Sequence, residues 1–285
     1  MSVVVGYDGS EISEVAVRFA AAEARMRALD LEVLTAWDQP TVDLGMGAGA
    51  AIDPDLSEVV AAQAAELAAR GARLARDSGM AASSTAVPGP AAAALVERAR
   101  TADLVVVSSH GRNAVSDVLL GGVSRQVATH AACPVIVVRD GAPAHSVVVG
   151  IDDSPQAARA LDFAFDEASR RAWPLRALHA WDVSVIGFDV DASTYPAGGI
   201  LDDVKDAEAR LSAEVLAGHV ARYPDVDVEV RLRRGAAAGV LVEASRDAGL
   251  LVLGSRGRGG FASLLLGSVS HRVIHRSTCS VAIVH

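Results

Sequence analysis

Most of this chain is written twice. SVVVGYDGS at 2–10 returns as SVVVGIDDS at 146–154, LTAWD at 34–38 as LHAWD at 178–182, and GGVSRQVATHAACPVIVV at 121–138 as GSVSHRVIHRSTCSVAIV at 267–284. The offset is 144 early in the repeat and 146 late, so the halves differ by one small insertion. A long internal repeat means two copies of one folding unit. The segment Asp140–His145, DGAPAH, supplies the Gly and Pro of a short linker, giving expected domains at 1–140 and 145–285.

Within each half, short β-branched runs alternate with alanine-rich amphipathic stretches, the pattern of βαβ units around a parallel sheet. The first half is expected to hold strands near 3–7, 31–36, 83–87, 104–108 and 134–138, with helices near 11–28, 57–77, 91–101 and 121–131. The second repeats them as strands near 147–151, 175–180, 226–232, 250–254 and 280–284, with helices near 155–171, 202–222, 237–247 and 267–276. Right-handed crossovers then put helices on both faces of each sheet. The fold class is α/β, two tandem, doubly wound, Rossmann-like sheets of five parallel strands. Segments 39–55 and 183–200 exceed plain connections in length and read as mobile loops over a site.

Charge narrows the partners. The formal net charge is −9, which opposes nucleic acid or an anionic membrane as the main partner. No apolar run reaches the length of a membrane span, and MSVVVGYDGS has too short an apolar run for a signal peptide, so a cytoplasmic location is expected. Against this acidic background, Gly254–His285 holds four arginines and no acidic residue.

That basic segment opens with GSRGRGGFASLLLGS at 254–268. It reads as strand, glycine-rich turn and new helix, whose backbone N–H groups form an anion site that glycine leaves open to close approach. A P-loop requires lysine after glycine, and the chain's one lysine is Lys205, so that loop is excluded. The dinucleotide fingerprint is nominally matched by GRGGFA at 257–262, but nothing acidic follows Asp247 to meet a ribose. What is left is the spacing Gly254-x-x-Gly257-x₉-Gly267-Ser268.

With that spacing, a strand-terminal aspartate and five strands per half, the sequence resembles the universal stress protein family, in its tandem two-domain form, over nearly its whole length. The resemblance implies the strand order 3-2-1-4-5 and an ATP site, with or without Mg²⁺, at the carboxyl ends of strands 1 and 4. In the second half it assigns phosphate and ribose contacts to Gly254, Ser255, Arg256, Gly257, Arg258, Gly267, Ser268, Val269 and Ser270, with Gly150, Asp152, Ser154, Ala180 and Gly235 around the nucleoside. The first half carries Gly6, Asp8, Ser10, Ala36, Gly89, His110, Gly111, Arg112, Gly121, Val123 and Ser124 at matching places. It departs at Ser108, where the first glycine is expected, and at Gly122, where the serine is expected, and it adds Asp117. If position 108 needed positive φ, serine there would cost about 1 kcal/mol. Binding is therefore expected in both halves and weaker in the first.

Other residues carry plainer readings. Asp152 is read as a nucleotide contact ahead of a helix cap, with Ser154 as the cap and Asp153 as a solvated charge. His110, His130, His271 and His275 are read as structural or surface histidines, and no metal site is expected. Cys133 and Cys279 occupy equivalent places as small buried residues. Trp37 and Trp181 either border adenine or simply pack. The phosphate site comes from the spacing, and the resemblance implies the preferred function, an ATP-binding regulator of the stress response. A slow ATPase or self-phosphorylating enzyme is the alternative, ranked lower because only Asp8 and Asp152 are placed to help phosphoryl transfer; a nucleotide-free module is disfavoured by the intact second motif. The apolar last strands of the halves suit edge pairing, and the resemblance implies that they pair the two halves as an intrachain pseudo-dimer, with a homodimer expected beyond it.

Overall fold

The computed structural model describes residues 1–39, 41–42, 51–52, 54–111, 120–141, 144–181, 210, 214–257 and 265–285. They form two compact units, Met1–Asp140 and Gly141–His285.

The first unit runs β1 (Ser2–Gly6), α1 (Glu11–Arg27), β2 (Asp30–Trp37), β3 (Thr41–Val42), β4 (Ala51–Ile52), α2 (Pro54–Asp77), β5 (Ala82–Pro88), α3 (Ala91–Arg98), β6 (Leu104–Ser108), α4 (Gly122–His130) and β7 (Val135–Val138). Its sheet has the order β5-β2-β1-β6-β7, parallel throughout. β3 and β4 pair antiparallel as a separate small ribbon, within the stretch expected to be a loop. The second unit runs β8 (Val147–Gly150), α5 (Pro155–Arg171), β9 (Leu175–Trp181), α6 (helical residues 214–222), β10 (Val228–Arg234), α7 (Ala237–Ala244), β11 (Leu250–Gly254), α8 (Ser268–Arg276) and β12 (Ser280–Val284). Its order, β10-β9-β8-β11-β12, is again parallel throughout. Each unit is thus a doubly wound α/β sheet of order 3-2-1-4-5.

Burial explains the sequence pattern. Val3, Val4 and Val5 are consecutive and fully buried, as are Val147, Val148 and Val149, which requires both faces of the central strand to be covered. α1 lies on one face of β1 and α3 on the other, while α1 packs on α2 and α3 on α4. Alanine makes the close helix–sheet approach feasible: Ala16, Ala20 and Ala24 of α1 are fully buried at helical spacing, as are Ala160, Ala164 and Ala168 of α5.

The repeat extends to caps and buried charge. Ser10 and Ser154 cap α1 and α5, each accepting from the backbone N–H three residues on, as expected of Ser154. Glu23 and Glu167, both fully buried, pair with Arg27 and Arg171 one helical turn later at 3.1 and 2.8 Å. α3 and α7 stop at Arg98 and Ala244, three residues earlier than expected. In the second unit the chain tightens at Ser245–Asp247 into a 3-10 turn instead of continuing the helix. Segment 183–200 and residues 202–209 of the expected sixth helix lie outside the described residues.

Both first helices end on alanine in the left-handed region, Ala28 at φ 53° and Ala172 at φ 52°. An L side chain there costs about 1 kcal/mol that glycine does not incur. Ala28→Gly and Ala172→Gly are each expected to raise stability by about 0.5–1 kcal/mol, read as a higher denaturation midpoint at unchanged slope.

Candidate functional site

In each unit the chain leaves the central strand toward one edge of the sheet, and a later strand pairs with the opposite side. That reversal opens a crevice at the carboxyl ends of β8 and β11, and of β1 and β6.

In the second unit, β8 ends at Gly150, and Asp152 follows with Oδ1 accepting from the Ser154 N–H at 2.9 Å. Ser154 Oγ in turn accepts from the Ala157 N–H at 3.1 Å and opens α5. Opposite, β11 ends at Gly254. Ser255 N–H donates to the Val284 carbonyl at 2.7 Å, and the chain returns as Gly267 N–H donates to the Ser255 carbonyl at 2.7 Å. Ser270 Oγ, one turn into α8, donates to the Gly254 carbonyl at 2.7 Å. These bonds hold the helix start against the strand end. Gly267 is the N-cap of α8 and offers no side-chain cap, so the first-turn amides at Ser268, Val269 and Ser270 are not satisfied by a capping side chain.

The glycines are required by approach. A Cβ on Gly257 would stand 2.6 Å from Asp152 Oδ2, and one on Gly254 would stand 2.8 Å from the Gln156 backbone. A Cβ on Gly267 would reach 3.4 Å from the Arg256 Cα and the Ser255 carbonyl. Arg256, half-buried, and Asp152 therefore lie on a loop and a turn pressed together without side chains between them.

The first unit reproduces this almost bond for bond. Asp8 Oδ1 accepts from Ser10 N–H at 3.0 Å and Ser10 Oγ at 2.6 Å. Gly121 N–H donates to the Ser109 carbonyl at 2.7 Å, Ser109 N–H to the Val138 carbonyl at 2.8 Å, and Ser124 Oγ to the Ser108 carbonyl at 2.6 Å. A Cβ on Gly111 would again lie 2.6 Å from the aspartate Oδ2, here that of Asp8. Gly121 begins α4 without a side-chain cap, ahead of Gly122, Val123 and Ser124.

The strain anticipated at Ser108 does not arise. Among the described residues only Ala28 and Ala172 have positive φ without being glycine. The glycine at 254 answers the nearness of Gln156 instead, and Ser108 uses its side chain to donate to the His110 carbonyl at 2.8 Å. At Gly122 nothing lies within 4 Å of a built Cβ, so a serine fits there.

The remaining sequence-predicted residues fall around the same two crevices. Ala36 and Ala180 lie near the ends of β2 and β9, and the N–H groups of Gly89 and Gly235 donate to the Trp37 and Trp181 carbonyls at 2.8 and 2.9 Å. Both glycines have positive φ, 103° and 140°, and precede the uncapped starts of α3 and α7. Gly6 and Gly150 make room for Leu95 and for Leu253 with Leu241, a packing duty behind the site. His110 Nδ1 is hydrogen-bonded to Ser109 Oγ at 3.0 Å. Arg112, Asp117 and Arg258 lie outside the described residues.

One neighbour escaped the sequence. Arg70, on α2, donates from Nε to the Tyr7 hydroxyl at 3.1 Å and from Nη2 to the Gly9 carbonyl at 3.4 Å, beside the Asp8 turn. The hydrogen bond with Tyr7 raises the Arg70 pKa further. Tyr7 corresponds to Ile151 in the second unit, so the repeat offers no echo of this contact.

Among the described residues no group of histidine, cysteine and carboxylate side chains is arranged to hold a metal, and no helix is long and apolar enough to cross a membrane. Cys133 and Cys279 are free and buried, and burial pushes the Cys133 thiol up to about 11, far from thiolate reactivity. Two glycine-lined helix starts, each facing a carboxylate, suit ligands that combine an anionic group with hydrogen-bond donors.

Comparison with known proteins agrees with this architecture. A universal stress protein of Mycolicibacterium smegmatis is 37% identical over 290 residues, covering 99% of this chain and 96% of its own length. One from Mycobacterium tuberculosis strain H37Rv is 37% identical over 295 residues, with the same coverage of 99% and 96%. The crystal structure of a universal stress protein from Archaeoglobus fulgidus shares the fold at a TM-score of 0.69 and 21% identity, over 99% of this chain and 95% of that one. The universal stress protein family model matches residues 1–139 and again 143–285, and the chain belongs to that family as a tandem of two such domains.

Proposed function

We propose that the chain binds ATP at both crevices and acts as a nucleotide-dependent regulator in the stress response. The observation that carries this reading is the close approach of loop and aspartate in each unit, where a Cβ on Gly111 or Gly257 would stand 2.6 Å from the carboxylate, beside a helix start without a side-chain cap. Amides of α8 at Ser268, Val269 and Ser270, with Arg256, would take the phosphates, and the Asp152 carboxylate would accept from a ribose hydroxyl. Asp8, Gly111, Gly121, Val123 and Ser124 would serve the first site in the same way. ATP supplies a polyanion whose occupancy can bias a conformation or a partner surface.

Turnover is the subordinate reading. Asp152 and Asp8 each spend Oδ1 on the serine two residues ahead, an arrangement suited to orienting a ligand. Phosphoryl transfer further calls for a metal and a group that positions the nucleophile.

Protein purified from cells should release ATP on extraction and should hydrolyse added ATP negligibly. Recovery of no nucleotide, with no binding on titration, would sink the proposal, and rapid phosphate release would move it to the enzymatic reading. Gly257→Glu brings a carboxylate against both Asp152 and the phosphates and is expected to weaken the second site by about 100-fold or more, near 2.7 kcal/mol. Gly122→Ser restores a hydroxyl in open space and is expected to tighten the first site by roughly tenfold, the worth of one hydrogen bond to a charged group.

A further inference from the structure

The two units differ in charge on the sheet face under α3 and α7. In the first, Glu32 on β2 pairs with Arg98 at the end of α3 at 2.8 Å, with Glu32 largely buried. In the second, Arg176 stands at the position of Glu32, and Ala244 at that of Arg98. The register fixes the equivalence, since Glu32 lies beside Val4 and Arg176 beside Val148. Losing the long side chain at 244 leaves space, and a cleft of about 230 Å³ occupies it.

The cleft has an apolar floor of Val148, Leu178 and Val240 and a cationic wall. Arg176, Arg231, Arg233 and Arg234 line it, against the carboxylates of Glu243 and Asp247. Two of the four guanidinium groups are held in place: Arg176 donates to Ser146 Oγ at 2.9 Å and to the Asp247 carbonyl, and Arg231 forks onto Glu229 at 2.7 and 2.8 Å. Arg233 and Arg234 are exposed, and neither makes an ion pair among the described residues. The matching stretch of the first unit, Thr85 to Pro88, carries no charge.

We infer that this cleft, which borders the nucleotide crevice of the second unit at Ala180 and Gly235, is a second and distinct ligand site, which takes a small organic anion: a carboxylate or phosphate group on a short apolar body. The oxyanion meets Arg233, which shares one face of β10 with Arg231, because guanidinium groups match carboxylate and phosphate oxygens in paired hydrogen bonds, and Arg234 lines the cleft from the end of the strand. The apolar body covers Val148, Leu178 and Val240. The volume lies below the roughly 300–1,000 Å³ of drug-sized pockets, which suits a small ligand. Glu243 and Asp247 select against a second negative group deeper in the cleft.

Calorimetric titration of the full chain with benzoate and with phenyl phosphate, each with and without saturating ATP, tests the inference. At least one probe should bind with a Kd at or below about 1 mM, equally well in the presence of ATP, and the stronger probe identifies the oxyanion class. Arg233→Ser with Arg234→Ser should weaken that binding at least about tenfold while thermal unfolding stays unchanged. Arg176→Glu with Ala244→Arg, which transplants the ion pair of the first unit, should abolish it. No binding of either probe to about 10 mM, displacement by ATP, or binding indifferent to the Arg233 and Arg234 substitutions would overturn the inference.

Discussion

One backbone hydrogen bond in each unit holds the loop from which the site is built. Gly267 N–H reaches the Ser255 carbonyl, and Gly121 N–H the Ser109 carbonyl, both at 2.7 Å. The bond closes the long excursion after the fourth strand of the sheet and pins the start of the following helix to that strand's end. With the helix start pinned, the serine one turn in, Ser270 or Ser124, can reach back to the strand carbonyl, and the cap position is left to a glycine that cannot satisfy the helix itself. The aspartate after the central strand then meets the loop at a distance no Cβ would tolerate. Helix-start amides without a side-chain cap and a hydrogen-bond-accepting carboxylate face one another because the strand order reverses between them.

Much of this was legible in the sequence, for a physical reason. Strands covered on both faces must be continuously apolar, so SVVVG, LVVVS and LLVLG announce central strands, and the internal repeat tests each assignment against its twin. The closely packed loops were legible in glycine spacing, since a loop that passes close to a neighbouring backbone or carboxylate has no room for another residue type. The reason for the glycine at 254 was not legible. Spacing alone suggests a backbone angle, whereas the neighbouring α5 backbone at Gln156 is what excludes a side chain. Helix ends were also missed: nothing local in VEASRDAG distinguishes an α-helix that continues from one that tightens at Ser245. Arg70 stayed hidden because its partner Tyr7 has no counterpart in the second half, and a contact 63 residues apart leaves no periodic trace.

Duplication makes the differences informative, because one unit serves as the control for the other. Where both copies keep a feature, as with the buried pairs Glu23–Arg27 and Glu167–Arg171, the fold accounts for it. Where they part, packing common to both cannot be the cause. The first copy gives up a hydroxyl at Gly122 and gains Arg70 beside its aspartate turn, and the second exchanges an ion pair for an arginine-lined cleft. The two crevices retain one plan while their surroundings diverge.

The proposed binding of nucleotide at both crevices is tested most directly by stoichiometry. Titration of nucleotide-free full-length chain with ATP, followed by calorimetry, should give two ATP per chain with the second-unit site the tighter. A chain that binds none, or that saturates at one, would contradict it.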